Sequence, residues 1–251
     1  MTLAILTALA AAIIGLRASW SSPCGESIVT TVHPLAEDAR GRSWAPTALT
    51  FTLATIITAS VLGAALGGVG SLLPISEDVS LFIVAGFLLT GGALDLLGRP
   101  PSTTRQLNEN WLTTYRGWVI GAGYGAQLGS GFATVVPSWT GYALVPMLLL
   151  SGDVLSGAAL GIAFGLGRVL AVAPAALIRD RSALLAVPDR WVGAEPVIAM
   201  VTSVAVAVIG LIALTGSFSL PAVGLGVIAI VVASVVVGLR SRANRGDVVV
   251  S

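Results

Sequence analysis

Residues 19–27 read SWSSPCGES, a polar interruption in a segment that is otherwise largely apolar from Thr2 to about Val32. The interruption follows Arg17 and contains Pro23, Glu26 and the chain's only cysteine, Cys24. A proline within a helix removes a backbone hydrogen bond and clashes with the preceding turn, so the helix kinks or breaks. In lipid the freed backbone groups find partners only inside protein or beside a water-filled cavity. The meaning of this break therefore depends on the solvent around it.

Composition decides the solvent. The chain has 251 residues, 55% of them hydrophobic and 10% charged, with a mean hydropathy of +0.94. Soluble domains carry about 25% charged residues. The sequence is that of an integral membrane protein. A bilayer core about 30 Å thick requires about 20 apolar residues as helix. Stretches that qualify, or nearly do, run from 2 to about 32 (interrupted at Pro23), 46–73, 79–98, 117–150 (interrupted at Pro137), 154–178, 197–216 and 220–239. The expected fold is an all-α polytopic membrane protein of about seven transmembrane helices. The first arginine follows the N-terminal apolar run rather than preceding it, so that run reads as a span and not as a signal peptide.

Positive residues favour the cytoplasmic side of short loops. With the N-terminus outside, the inner loops and tail hold Arg40, Arg42, Arg99, Arg105, Arg116, Arg179, Arg181, Arg190, Arg240, Arg242 and Arg245. The outer loops hold Glu77, Asp78 and Asp153. Only Arg17 and Arg168 fall within apolar segments. Trp44, Trp111, Trp118 and Trp191 lie near the same inner boundary. The C-terminus is then cytoplasmic. No loop is long enough to fold alone, so residues 1–251 form one membrane domain: a three-helix half over 1–98, a second over 117–216, an additional helix over 220–239 and a cytoplasmic tail over 240–251.

Several functions are excluded or disfavoured. A formal net charge of +1 without a basic cluster argues against nucleic-acid binding. One cysteine closes no intrachain disulfide. His33 has no second histidine or cysteine near it, so no metal site is expected, and no cofactor motif appears. The glycines of VLGAALGGVGSLL (61–73) and LSGAALGIAFGLG (155–167) read as close helix packing.

The second interruption, VPSW at 136–139, lies 114 residues after the first, counted from Pro23 to Pro137. Each break is followed by two more spans, and three spans per half reverse the second half's orientation, which makes a 3+3 inverted repeat. In such folds discontinuous helices enclose a site near the midplane. Polar residues collect there: Arg17, Cys24 and Glu26 at the first break, Ser138 and Trp139 at the second, with Arg168 inside the fifth span. An arginine at helix centre costs a few kcal/mol and needs an interior partner. Two buried arginines against Glu26 alone leave positive charge over, which suggests an anionic ligand. The plain alternative pairs Arg17 with Glu26 and leaves Arg168 on backbone carbonyls. Asp95, four residues before Arg99, reads as half of an interfacial ion pair. Cys24 is either a small buried hydrophobe or a thiol activated by its neighbours.

A proline-cysteine break in the first helix, a proline-marked break opening the fourth and the small-residue helix GAALGIAFGLG together resemble the CcdA/DsbD transmembrane family, on a scaffold similar to that of the LysE-type exporters. The resemblance covers about the first six spans. It implies a bacterial plasma-membrane protein that passes reducing equivalents through one cysteine in each broken helix, with thioredoxin-like and extracytoplasmic partners in cytochrome c maturation. Cys24 matches the first position. Ser138 stands near the second, and serine cannot form the mixed disulfide that such exchange requires. The leading expectation is therefore an alternating-access carrier for a small anionic or thiol-bearing cargo, lined by Arg17, Cys24, Glu26, Ser138, Trp139 and Arg168. The alternatives are a thiol relay through Cys24 with a partner's dithiol, and a non-catalytic membrane assembly subunit.

Overall fold

A computed structural model describes residues 2–20, 28–29, 31–97, 114–131, 136–170 and 178–215. Among these residues there is no strand. The main helices are α1 (Thr2–Ser19), α2 (Pro34–Ala39), α3 (Trp44–Gly70), α4 (Glu77–Leu97), α5 (Gly117–Gly129), α6 (Trp139–Tyr142), α7 (Leu144–Leu149), α8 (Val154–Leu170), α9 (Arg181–Leu185) and α10 (Val187–Thr215). Helix is the form in which an apolar segment satisfies its own backbone polar groups without water.

Local signals set several helix starts. Pro34 opens α2, and His33 Nδ1 accepts a 3.2 Å hydrogen bond from the Leu35 N–H. Glu77 and Asp78 place negative charge on the first turn of α4. Asp153 caps α8: Oδ1 accepts from the N–H groups of Leu155 and Ser156 at 2.8 and 2.9 Å, and Oδ2 from the Ser156 hydroxyl at 2.6 Å. The Ser156 hydroxyl, then the Ser156 N–H, hold the Asp153 carboxyl below the usual carboxylate range. Stability from this cap is present above the pKa of a free aspartate and is lost as pH falls through the lowered value.

Among the described residues, three helices are long and apolar enough to cross a membrane: α3, α4 and residues Val192–Thr215 of α10. Shorter apolar helices cover Ala4–Ser19, Trp139–Leu149 and Val154–Leu170. One span is interrupted and another differs from its sequence-based bounds. The fourth is broken ahead of Trp139: α5 has 13 residues and extends only about 20 Å at 1.5 Å per residue. The chain resumes helix at Trp139, directly after the buried pair Pro137 and Ser138. The sixth starts earlier than expected, since α10 begins at Val187 and carries Pro196 inside it. The first interruption, with Pro23, Cys24 and Glu26, and the expected seventh helix at 220–239 lie outside the described residues.

Packing is organised on α3. Its buried residues Thr47, Phe51, Thr55, Ala59, Gly63, Gly67 and Gly70 form one stripe at mostly four-residue spacing. One half of the stripe faces α5, where a methyl group added at Gly121, Gly125 or Gly129 would strike the carbonyls of Thr47, Phe51 or Thr55. The other half faces α8, where Gly157 meets the Gly63 carbonyl and Gly161 that of Ala59. By these pairings α5 runs parallel to α3 and α8 antiparallel, and the two meet near Thr55. Helix α1 lies along α8, with Gly15 against the Phe164 carbonyl and Gly167 against that of Ala12. Helix α4 packs on α10, where Gly92 comes close to the Ser203 carbonyl. Apolar side chains, among them Ile14, Leu88, Met147, Leu148 and Phe164, fill the space between these contacts. The glycines thus let helix backbones touch.

Gly63→Ala and Gly86→Ala separate packing from helix propensity. Gly86 has nothing within 4 Å of an added Cβ, so its replacement should leave thermal stability in detergent unchanged or raise it by up to about 1 kcal/mol. Gly63→Ala should cost about 1–3 kcal/mol by overpacking. Equal melting temperatures for the two variants would exclude the close α3–α8 contact.

Candidate functional site

The second interruption is built around a carboxylate from another helix. Near its end α4 reads GGALDLL (91–97). A Cβ at Gly91 would come within 3.1 Å of the Thr140 Cα, so glycine lets the start of α6 approach closely there. One turn further on, Asp95 meets that helix start. Its carboxylate accepts from the Trp139 N–H, from the Thr140 N–H at 3.2 Å and from the Thr140 hydroxyl at 2.8 Å. Ser138, extended at φ −144° and ψ 149°, is the N-cap, and its hydroxyl oxygen accepts from the Gly141 N–H at 3.1 Å. The leading donors of α6, which lipid would leave unsatisfied, are held between Asp95 and Ser138.

Arg17 and Glu195 extend this polar region. Arg17, near the end of α1, reaches Glu195 on α10 with an N···O distance of 3.8 Å, and both side chains are buried. The charge of Arg17 also acts on Asp95. Arg168, 1% exposed, lies with its guanidinium 5.4 Å from the centre of the Phe164 ring, a cation–π arrangement. Trp139 is half-buried, its ring 6.2 Å from that of Tyr142. Among the described residues, then, the half-buried Asp95 and buried Glu195 carboxylates equal the buried arginines 17 and 168 in number, with Glu195 paired to Arg17. The surplus of positive charge that suggested an anionic cargo is absent from this part of the molecule.

The structure brings Arg17 near the Ser138–Trp139 helix start through Asp95 and places Arg168 on the neighbouring α8. Cys24 and Glu26 lie outside the described residues, as does Arg99, the expected partner of Asp95. A cavity of about 360 Å³ at the end of the bundle where α8 begins is lined by Thr7, Glu77, Met147, Ser151 and Ser156, among others. None of Arg17, Ser138, Trp139 and Arg168 lines it. No group of three or more metal-ligating side chains occurs among the described residues.

No protein-family model and no solved structure matches the chain. Five relatives carry the name methylamine utilization protein MauF. The chain is 33% identical to that of Paracoccus versutus over 177 residues, covering 68% of this chain and 64% of the relative. It is 36% identical to that of Methylophilus methylotrophus over 178 residues, covering 67% and 61%. For Paracoccus denitrificans the identity is 33% over 172 residues, covering 65% and 61%. The chain spans less than two thirds of the length of these relatives.

The likeness to MauF overturns the CcdA/DsbD resemblance, and with it the expected carrier, the thiol relay and the role in cytochrome c biogenesis. Residue chemistry agrees at the second break. Where a relay would place a cysteine this chain has Ser138, and its hydroxyl is engaged as a helix cap. A proline break and a glycine-rich helix are general solutions to packing in lipid, so they identified a type of architecture rather than a family.

Three residues are not among the sequence-based candidates. Glu195 falls between the apolar stretches 154–178 and 197–216, yet it lies within α10. Glu37 falls between the stretches ending near 32 and beginning at 46; it is fully buried, accepting from Arg40 at 2.7 Å and from the Thr47 hydroxyl at 2.8 Å. Thr140 is a partner of Asp95. The available signal was the pairing of an acidic residue with a glycine one turn before it, Gly91 with Asp95, near a helix end.

Two sets of variants test this region. Asp95→Ala orphans two N–H groups and a hydroxyl, at about 1–3 kcal/mol for each buried unsatisfied group, and should lower the melting temperature in detergent more than Thr140→Val. Asp95→Asn, which retains an acceptor, should fall between them; equal effects of Asp95→Ala and Thr140→Val would contradict the cap. For the ion pair, Arg17→Met or Glu195→Leu alone should destabilise by about 3–5 kcal/mol, whereas the double substitution should recover most of the loss. Strictly additive losses would show that the two charges do not act as a pair.

Proposed function

We propose that this chain is a non-catalytic membrane accessory protein of methylamine utilization, acting in the maturation of an extracytoplasmic enzyme that oxidises the amine. The observation that carries this reading is the likeness to MauF across about two thirds of the chain. Geometry supports it in a second way. The polar groups of the α6 start are engaged with one another, as a scaffold requires.

We propose further that the protein sits in a bacterial plasma membrane with seven spans, the N-terminus outside and the C-terminus cytoplasmic, as an inverted repeat of 1–98 and 117–216 followed by a helix over 220–239 and a tail over 240–251. The arrangement of helix ends favours this. The start of α1, the end of α3 and the starts of α4 and α8 share one end of the bundle, with Glu77 and Ser151. The opposite end carries Arg42, Arg116 and Trp118, as expected for the cytoplasmic side. In this reading Arg17, Ser138, Trp139 and Arg168 hold the two halves together, and Cys24 and Glu26 belong to the first break as structural residues.

Deleting the gene from a host that grows on methylamine should abolish that growth and the extracytoplasmic amine-oxidising activity, while growth on ammonium continues. Both the wild-type chain and Cys24→Ser should restore activity. Amine oxidation by the purified chain alone, or full enzyme activity in the deletion strain, would overturn the proposal.

A further inference from the structure

The cavity of about 360 Å³ at the end of the bundle where α8 begins is lined by residues of α1, α4, α7 and α8. Its volume is within the roughly 300–1,000 Å³ typical of small-ligand sites. The inner wall is apolar, with Val84, Met147 and Leu160 all buried. At the rim stand Glu77 and Ser156, both exposed, and the half-buried Ser80 and Ser151. Among the described residues no arginine or histidine lines it. An apolar chamber with a single charged group at its rim is shaped for an amphiphilic ligand of the opposite charge.

The hydrogen-bonding capacity of the rim is biased in the same sense. A serine hydroxyl has one proton and two lone pairs. Ser151 directs its proton to the Leu148 carbonyl at 2.8 Å and the Asp153 carbonyl at 3.4 Å, and Ser156 donates to Asp153 Oδ2 at 2.6 Å. Both hydroxyls therefore present lone pairs to a ligand. The Glu77 carboxylate presents only lone pairs, and it makes no hydrogen bond or ion pair among the described residues. Ser80, whose hydroxyl is likewise unengaged there, can accept as well as donate. The complement of this rim is a cationic group with several N–H donors.

We propose that this cavity binds a protonated primary amine carried on an apolar body. The ammonium group brings three N–H donors and a full positive charge to Glu77 and the serine lone pairs. The apolar body lies against Val84, Met147 and Leu160, where its burial contributes by the hydrophobic effect. Phosphatidylethanolamine carries the same ammonium group, but its phosphate would stand beside Glu77 with no basic lining residue to balance it. A free amine is therefore the favoured source. The proposal does not rest on the accessory role, since it depends only on the lining of this cavity.

The test uses the purified full-length chain in nonionic detergent at neutral pH, titrated calorimetrically with n-hexylammonium, hexanol, hexanoate and hexyltrimethylammonium, with native mass spectrometry for retained phosphatidylethanolamine. n-Hexylammonium should bind and raise the melting temperature. Hexanol, which lacks the charge, and hexyltrimethylammonium, which lacks N–H donors, should bind more weakly, and hexanoate weakest of all. Glu77→Gln replaces an exposed group, so the fold should hold while affinity for n-hexylammonium falls about fivefold, the upper value for an exposed charge pair, and that for hexanol stays the same. Asp78→Asn removes the adjacent carboxylate, which does not line the cavity, and should change neither. Ala159→Phe, at an exposed lining position, should fill the space and weaken both ligands. Equal binding of n-hexylammonium with hexanol or with hexyltrimethylammonium would overturn the ammonium ligand. Absence of n-hexylammonium binding, or wild-type affinities in both Glu77→Gln and Ala159→Phe, would overturn the site itself. Retained phosphatidylethanolamine that n-hexylammonium fails to displace would overturn the free amine as its source.

Discussion

Direct backbone contact along α3 is the constraint on which the remaining structure depends. In hydrocarbon, burying one leucine against another gains little over leaving it against lipid, so helices associate through close packing and hydrogen bonds. Along α3 the stripe from Thr47 to Gly70 meets α5 on one half and α8 on the other, with carbonyl oxygens against glycine Cα atoms. Because α5 stops near Thr55, a new helix has to start at Trp139 in the middle of the bundle. The polar chemistry of the molecule follows from that start.

A helix that starts at membrane depth has N–H groups that neither water nor lipid can satisfy. The protein supplies Asp95 from α4 and the Ser138 hydroxyl from the chain itself. The buried carboxylate is accommodated by the Trp139 and Thr140 donors that surround it, while Arg17 pairs with Glu195. One set of polar contacts thus ties α4 to α6 and another ties α1 to α10. A buried ion pair is weak evidence for stability in itself. Its value here is positional, since each of its members is meaningful only when the two helices are in register.

Much of this was readable in the sequence, and the failures have physical causes. The apolar rods were legible because lipid demands continuous hydrophobicity, and the close helix packing was legible in the glycines. The locations of buried carboxylates were not, because the partner of each lies far along the chain: Asp95 is 44 residues from Trp139, and Glu195 is paired with a residue near the N-terminus. Pro196 directly precedes the apolar stretch 197–216 yet lies inside α10, since helices in membranes accommodate proline when neighbouring helices satisfy the freed groups. Counting Arg17 and Arg168 against Glu26 alone then produced a charge excess, and from it an anionic cargo. The missing negative charges were Asp95 and Glu195.

The same contacts bear on why a broken-helix architecture need not imply transport. Alternating access requires one half of the molecule to rock against the other between two packings of similar energy. Here α3 belongs to the first half by sequence, while α5 and α8 belong to the second, and the seams between them are backbone to backbone over most of the length of α3. Sliding such a seam by one residue would drive side chains such as Phe51 and Phe164 into spaces sized for a hydrogen atom. Asp95 adds a second restraint, since moving α6 away from α4 would strand two N–H groups in a site without water. A molecule tied in this way gains rigidity at the cost of a second packing. That property is the opposite of what alternating access requires.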